Sequence, residues 1–284
     1  MADAMKNTMR LERFLADCGV ATRSDLKTLI RKGRVSVDGI PVRDPKLHVR
    51  QDESVIALDG KTLHWQKRVV FLLCKPAGVI TATEDPKLPT VLDLLPDGVR
   101  RMGLFPVGRL DRDTEGLLLL TNDGQLAHAL LAPKKHVDKL YEAVLDVEPE
   151  EGAEARFLTG IALQDGTVCR PAILERIPVE AGNPPVSRIT IVEGKFHQVK
   201  RMFAAAGSHV MNLKRLRMGP ITLDPDMKPG AFRPLTPDEL EALERQAGLE
   251  SSKETLERQA GHESSKETGR NHGQADNGQA GPSA

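Results

Sequence analysis

Apolar residues fall into helical spacing in several short stretches of this chain. Leu11, Phe14, Leu15 and Cys18 recur at i, i+3, i+4 and i+7, which predicts a half-buried helix, and Gly19 fits its left-handed stop. A second helix is predicted from about Ser24, read as its N-cap, to Lys32, with Leu26, Leu29 and Ile30 apolar and Gly33 ending it. Val35 to Val42 alternates around Asp38-Gly39, the signal of a tight hairpin, and strand-like residues return from Val55 to Leu58. Residues 9–60 thus read as one small module of two helices and a hairpin. Residues 61–68 are polar and read as a linker, with the single tryptophan, Trp65, expected to pack between domains.

From Val69 the pattern changes to strands alternating with helices. Val69 to Cys74 is a continuous apolar run, as in a strand buried on both faces, and the turn-forming Lys75-Pro76-Ala77-Gly78 halts it. Leu117 to Thr121 is a second such strand, followed by Asn122-Asp123-Gly124, read as a hairpin-type turn. Gln125 to Leu131 is predicted helical, Tyr141 to Val147 and Arg188 to Val192 as strands, and Phe196 to Ala206 as a helix stopped by Gly207, with Val199, Met202, Phe203 and Ala206 as its core stripe. Thr236-Pro237-Asp238-Glu239 is a capping box with proline at N1, opening a last helix through about Gln246. The fold class expected is α+β: the small module, then a mixed, mainly antiparallel sheet domain over 69–247.

The remaining residues, 248–284, differ in kind. Glu244 to Leu256 nearly repeats as Glu257 to Gly269, a period of 13 residues that matches no solenoid. The segment has no aromatics and is rich in Gly, Ser, Gln and charge, so a disordered tail without assigned function is expected.

At 284 residues the chain can bury a core without disulfides. Cys18, Cys74 and Cys169 are far apart, with no CxxC pair and no zinc-type spacing, so a reduced, metal-free, cytoplasmic protein is expected. No apolar leader follows Lys6 and Arg10, and no apolar run approaches the roughly eighteen residues of a membrane span.

The formal net charge of zero hides an asymmetry. Thr236 to Ala284 holds ten acids and five bases, which leaves 35 bases and 30 acids in the body. A basic body suits a nucleic-acid partner. Two basic clusters sharpen this. Arg23, Lys27 and Arg31, spaced by four, line up beside the apolar stripe of the second helix; Lys32 and Arg34 follow, and Asp25 is the one acid within 23–34. Lys195, Lys200, Arg201, Lys214, Arg215 and Arg217 face Glu193 alone within 193–217, as in a phosphate-binding rim.

The richest stretch chemically is Gly108 to Thr121, GRLDRDTEGLLLLT, where a loop of acids and arginines runs straight into four leucines. A carboxylate at the mouth of a buried strand, with arginine beside it, suits chemistry on a polyanion. Asp111 and Asp113 are the rival carboxylates, and Asp113 also reads as a turn acid. Asp123 reads as turn chemistry.

Four ordered stretches resemble the pseudouridine synthases: GRLDRDTEGLLLLT, Lys75-Pro76-Ala77-Gly78, Lys139-Leu140-Tyr141, and Glu193 to Phe203 (EGKFHQVKRMF). Residues 9–60 resemble the alpha-L RNA-binding module of ribosomal proteins and RNA-modifying enzymes, and the whole resemblance covers about 9–243. It implies an enzyme that breaks the C1′–N1 bond of a uridine, turns the uracil and rejoins C1′ to C5, with no cofactor. A carboxylate can stabilise the developing positive charge or bond to the nucleoside. The match places the essential aspartate at Asp111, following Arg-Leu. A cation would keep it ionised; the family's basic residue falls at Lys200, with a phosphate contact as that lysine's other reading and Arg201 as the fallback.

By the same resemblance Tyr141, the only tyrosine, stacks on the target uracil; Arg109 helps keep the nucleotide extruded; and Leu213 packs beneath the base. Lys75 and Arg201 join the substrate-binding set, and Arg23, Lys27, Arg31, Lys32, Arg34, Lys195 and Arg215 the RNA-binding set. Motif order and spacing resemble the branch that carries an amino-terminal alpha-L module, and within it residues 187–238 are most similar to the enzyme of small-subunit 16S ribosomal RNA, whose target is uridine 516. A ribosomal RNA partner, bare or as a partly assembled particle, is therefore expected, acted on by a monomer since no apolar seam is evident. A synthase for 23S ribosomal RNA and a non-catalytic assembly factor are the alternatives.

Overall fold

A computed structural model of the chain describes residues 8–249, apart from 52, 64, 66 and 67. Most of the expected tail, 250–284, lies outside the described residues.

The first module opens with β1 (Thr8–Arg10), α1 (Leu11–Asp17) and α2 (Arg23–Arg31), followed by β2 (Val35–Val37), β3 (Ile40–Val42), β4 (His48–Arg50), β5 (Ile56–Leu58) and β6 (Lys61–Leu63). β1 pairs with β4, and a separate sheet runs β3-β2-β5-β6. Phe14, Leu15, Leu26, Ile30, Val35 and Ile56 form its core. Two expectations are corrected here. α2 is capped by Thr22, not Ser24: the Thr22 hydroxyl accepts from the Asp25 amide at 3.3 Å and donates to the Asp25 carboxylate at 2.5 Å. The stretch read as a linker also begins with β6. Asp59 and Gly60 take φ of 50° and 80°, nearly the 52° and 80° of Asp38 and Gly39, so a second Asp-Gly turn closes a second hairpin. Trp65 packs against this module's core.

The larger domain contains β7 (Val70–Lys75), α3 (Asp97–Arg100), β8 (Phe105–Pro106), β9 (Glu115–Thr121), α4 (Gly124–Leu131), β10 (Lys139–Leu145), α5 (Ala153–Thr159), β11 (Ile173–Ile177), β12 (Val186–Ile191), α6 (Gln198–Ala205), β13 (Val210–Met218), β14 (Ile221–Thr222), β15 (Phe232–Pro234) and α7 (Pro237–Ala247). Its sheet runs β11-β12-β10-β13-β9-β7-β15. Every pair along it is antiparallel except β13 with β9. The α+β, mainly antiparallel reading thus matches the observed sheet.

Because side chains alternate along a strand, β7 and β9 feed two cores. Leu73, Leu118 and Leu120 join Tyr141, Ile189, Leu213, Met202 and Phe203 on one face, while Leu72, Leu117 and Leu119 join Leu126, Leu130 and Leu243 on the other. Asn122-Asp123-Gly124 is no hairpin turn: Asp123 caps α4, accepting from the Gln125 and Leu126 amides at 2.8 and 3.1 Å. α7 shows the full capping box, with Gly248 in the left-handed conformation at its end. No helix among the described residues is long and apolar enough to cross a membrane.

The parallel contact depends on one glycine. Gly116, at φ +96°, sits where β9 meets β13; a Cβ there would lie 2.3 Å from the Arg215 carbonyl oxygen. Gly116→Ala is expected to destabilise the domain by about 3 kcal/mol or more, seen as a thermal midpoint lowered by about 10 °C. Gly166→Ala, also left-handed but in open space, should cost only about 1 kcal/mol. Equal small shifts would contradict the close approach.

Candidate active site

The loop before β9 is fixed by the turn after β7. Lys75 is fully buried, and its ammonium donates to the carbonyls of Pro76, Arg112 and Thr114 at 2.9, 3.2 and 2.8 Å. Gly78 donates its amide to the Arg112 carbonyl at 2.8 Å, and the Arg112 Nε returns a bond to the Gly78 carbonyl at 3.2 Å. Thr81 Oγ1 donates to the Leu110 carbonyl at 2.8 Å and accepts from its amide at 3.2 Å. Lys75 therefore does not sit at the substrate, as expected from the sequence; it holds the loop from below. Burial pulls its ammonium down to about 8, although Asp113, Glu115 and Asp111 oppose the shift.

Asp111 stands at the start of this loop's turn, its carbonyl accepting from the Thr114 amide at 3.1 Å. Two cations flank its carboxylate: His197 Nε2 lies 3.6 Å from Oδ1 and Lys200 Nζ 3.7 Å from Oδ2, the imidazole counting only when protonated. Lys200 is closer still to Asp113, donating to its Oδ1 at 2.6 Å, and this bond holds the Asp113 carboxyl below the usual range. Lys200 thus bridges both acids rather than serving Asp111 alone. The Asp113 side chain is 72% exposed and that of Asp111 30%, so Asp111 is the sheltered one.

The segment that presents His197 and Lys200 is tied by polar contacts that the sequence reading did not single out. Gln198, buried, accepts from the Lys195 amide at 2.9 Å and donates to Glu193 at 2.8 Å; Glu193 also accepts from the Arg170 amide at 2.9 Å. The helix begins at Gln198 rather than Phe196, because His197 takes a left-handed conformation, φ 47° and ψ 36°.

Tyr141 lies on β10 between Ile189 of β12 and Arg215 of β13. It is 8% exposed, with its hydroxyl 3.4 Å from Arg215 Nη1 and its ring centre 5.9 Å from the guanidinium carbon. Arg215, expected on the RNA rim, is instead 2% exposed and donates through Nε to the Leu117 carbonyl at 2.7 Å. Leu213 is buried and lines a recess of about 70 Å³ together with Asp111, Thr114, Tyr141 and Lys200. A larger cleft of about 1110 Å³ opens beside it, and Arg109, Asp111, Tyr141, Lys195 and His197 line both. Lys139, also on the cleft, donates to the Val137 carbonyl at 2.7 Å; burial and then Arg215 lower its ammonium to about 8.

Other expected contacts divide. Arg109 is exposed on the cleft and makes no hydrogen bond or ion pair with a described residue. Lys195 reaches the Val168 carbonyl at 2.6 Å and Glu193 at 3.2 Å. Arg201 is withdrawn from the site by an ion pair with Asp165 and a bond to the Phe196 carbonyl. In the first module Lys27, Arg31 and Lys32 are exposed, but Arg34 pairs with Asp59, an acid outside the segment that looked almost free of acids. The side chain of Arg23 lies outside the described part.

Residues 69–205 match the model of the RNA pseudouridylate synthase family, and residues 9–55 that of the S4 domain. The chain is 44% identical over 235 residues to an RNA pseudouridine synthase of Bacillus subtilis, covering 83% of this chain and 98% of the relative. It is 42% identical over 234 residues to ribosomal small subunit pseudouridine synthase A of Escherichia coli, covering 82% and 98%. A crystal structure of a pseudouridylate synthase superposes with a TM-score of 0.56 at 36% identity, covering 83% of this chain and 99% of that one.

The Lys75 contacts carry a pH signature. An ordinary lysine titrates near 10.5 and this one at about 8, so between those values the unfolded chain binds more protons than the folded one. Lys75 should therefore add stability as pH rises from 8 toward 10.5. Urea unfolding of the protein and of Lys75→Met across this range should show a steeper rise for the unmutated chain. Parallel profiles would contradict the buried ammonium.

Proposed function

The chain belongs to the RNA pseudouridylate synthase family, and we propose that it isomerises one uridine of small-subunit 16S ribosomal RNA, uridine 516 in the numbering of that RNA, with Asp111 as the essential carboxylate. The observation that carries the catalytic part is the position of Asp111, at the junction of the recess and the cleft, flanked by His197 and Lys200 and sharing both cavities with Tyr141. The target assignment rests on likeness to small-subunit synthases over nearly their full length.

In this reading the RNA gives up its stacked uridine to the cleft. Leu213 and Tyr141 supply the apolar walls of the base site, with Tyr141 stacking on the uracil. Asp111 meets C1′ as the C1′–N1 bond breaks, either stabilising positive charge on the ribose or bonding to the nucleoside, and the freed uracil turns to offer C5. C5 then bonds to C1′, releasing Asp111 where it had bonded; the C5 proton leaves and N1 ends protonated, with the Tyr141 hydroxyl assisting the proton transfer. Lys200 and His197 stand beside the Asp111 carboxylate, 3.7 and 3.6 Å from its two oxygens. Arg109, which has no protein partner among the described residues, is available to a phosphate or to the gap left by the extruded base. Lys195 contributes to the phosphate-binding rim. Lys27, Arg31 and Lys32 form the outer grip of the first module on structured RNA. A monomer in the cytoplasm, working on bare or partly assembled small-subunit RNA, completes the proposal.

Carbodiimide labelling and primer extension on 16S ribosomal RNA, bare and as a partly assembled particle, tests this directly. The protein should produce one new stop, and Asp111→Asn should abolish it while RNA affinity stays within about threefold. A stop that survives in the variant would move the catalytic role to another residue, Asp113 first. No stop on either form would reject the small-subunit target and lead to 23S ribosomal RNA.

A further inference from the structure

Phe196 has no role in the reaction described above, yet its placement is unusual. It is 75% exposed, the highest value among the exposed large apolar side chains, although it lines the same cleft as Asp111 and Tyr141. An isolated exposed phenylalanine needs no explanation, but this one is held. Its ring is stacked on His197, with centroids 3.9 Å apart and planes 16° from parallel. His197 also holds a left-handed backbone, a conformation that costs a non-glycine residue about 1 kcal/mol. The Phe196 carbonyl accepts from Arg201 Nη1 at 3.3 Å, and Arg201 is itself anchored on Asp165.

One face of Phe196 is therefore occupied by imidazole, and the other is open to solvent. The surroundings decide what would cover it. Arg109, Arg170 and Lys195 line the same cleft, and Lys200 lines the recess beside it. An aromatic face among cations suits an unpaired base and its phosphates better than an apolar protein surface. The cleft, at about 1110 Å³, also exceeds the roughly 300–1,000 Å³ that encloses a drug-sized ligand, leaving room beyond one extruded nucleoside.

We propose that Phe196, backed by His197, is a stacking platform for the RNA base adjacent to the target uridine. The stack then links two events: the flanking base seats on Phe196, and the ring beneath it, His197, stands 3.6 Å from the Asp111 carboxylate. The proposal rests on the synthase reading and adds a second nucleotide site to it.

The test compares Phe196→Ala, Phe196→Leu and Phe196→Trp with the unmutated protein. Affinity is measured on bare 16S ribosomal RNA, on the partly assembled particle, and on a fragment of the RNA with 2-aminopurine placed on either side of the target uridine. Stacking on one aromatic is worth enough for Phe196→Ala to weaken binding by about 5- to 150-fold. Leucine should fail to restore it, and tryptophan should restore it to within about threefold. One flanking 2-aminopurine should be quenched on binding by the unmutated protein and not by Phe196→Ala. Thermal midpoints should agree within about 2 °C, since so exposed a ring contributes little to packing.

Unchanged affinity in Phe196→Ala, or full rescue by leucine, would overturn the proposal. So would a loss confined to the partly assembled particle, which would make the contact a protein one. Pseudouridine formation by the unmutated protein is scored separately. If none forms while the affinity pattern holds, the target assignment fails and the platform stands.

Discussion

A buried lysine ammonium organises the centre of this molecule. Lys75 ends a strand whose other residues are all apolar, and the chain then turns at Pro76. An ammonium in that position needs acceptors, because an unpaired buried charge costs several kcal/mol. It finds three backbone carbonyls, two of them in the loop that carries Asp111. The loop is thereby fixed to the sheet through its own backbone, without drawing on the Asp111 carboxylate. Thr81 and Gly78 complete the attachment from the other side of the turn. Every feature of the site assumes that this loop is in place.

The same loop enters β9, and β9 meets β13 across the one parallel junction of the sheet. Gly116 lets the two backbones approach there. The junction delivers Arg215 beneath Tyr141 and Leu213 into the recess beside Asp111. From the opposite side, the Glu193–Gln198 contacts set the start of α6 so that His197 and Lys200 meet the acid. Asp113 takes the closer bond from Lys200 while remaining mostly in solvent. A phosphate or ribose entering the cleft would meet a lysine already shared between two carboxylates, and Asp111 is the one with shelter from water.

Much of this was legible in the residues, and the misses have a common cause. Long apolar runs such as Leu117 to Thr121 and capped helices such as 237–247 declare themselves. Three-residue strands such as β1 and β4 do not, since they contain too few positions to show a period. The motif order brought Asp111, Tyr141, Lys200, Arg109 and Leu213 to one place. What sequence did not reveal is which cations are buried. Lys75 and Arg215 look like substrate- and RNA-binding residues in a one-dimensional reading, yet both are buried, the Lys75 ammonium on three backbone carbonyls and Arg215 Nε on the Leu117 carbonyl. Arg34 and Arg201 looked unopposed because Asp59 and Asp165 are distant in the chain. The periodicity places Phe196 in a helix, but the left-handed His197 starts that helix at Gln198 and leaves Phe196 on the cleft.

The Lys75 contacts hold the Asp111 loop in place beside His197 and Lys200. The most direct measurement follows amide hydrogen exchange at Gly78 and Thr114, whose amides bond within and across this loop, together with the single-turnover rate of pseudouridine formation, in the protein and in Lys75→Met. Protection at both amides and the rate should fall together in the variant while RNA affinity holds. Unchanged protection with an unchanged rate would show that the loop stands without Lys75.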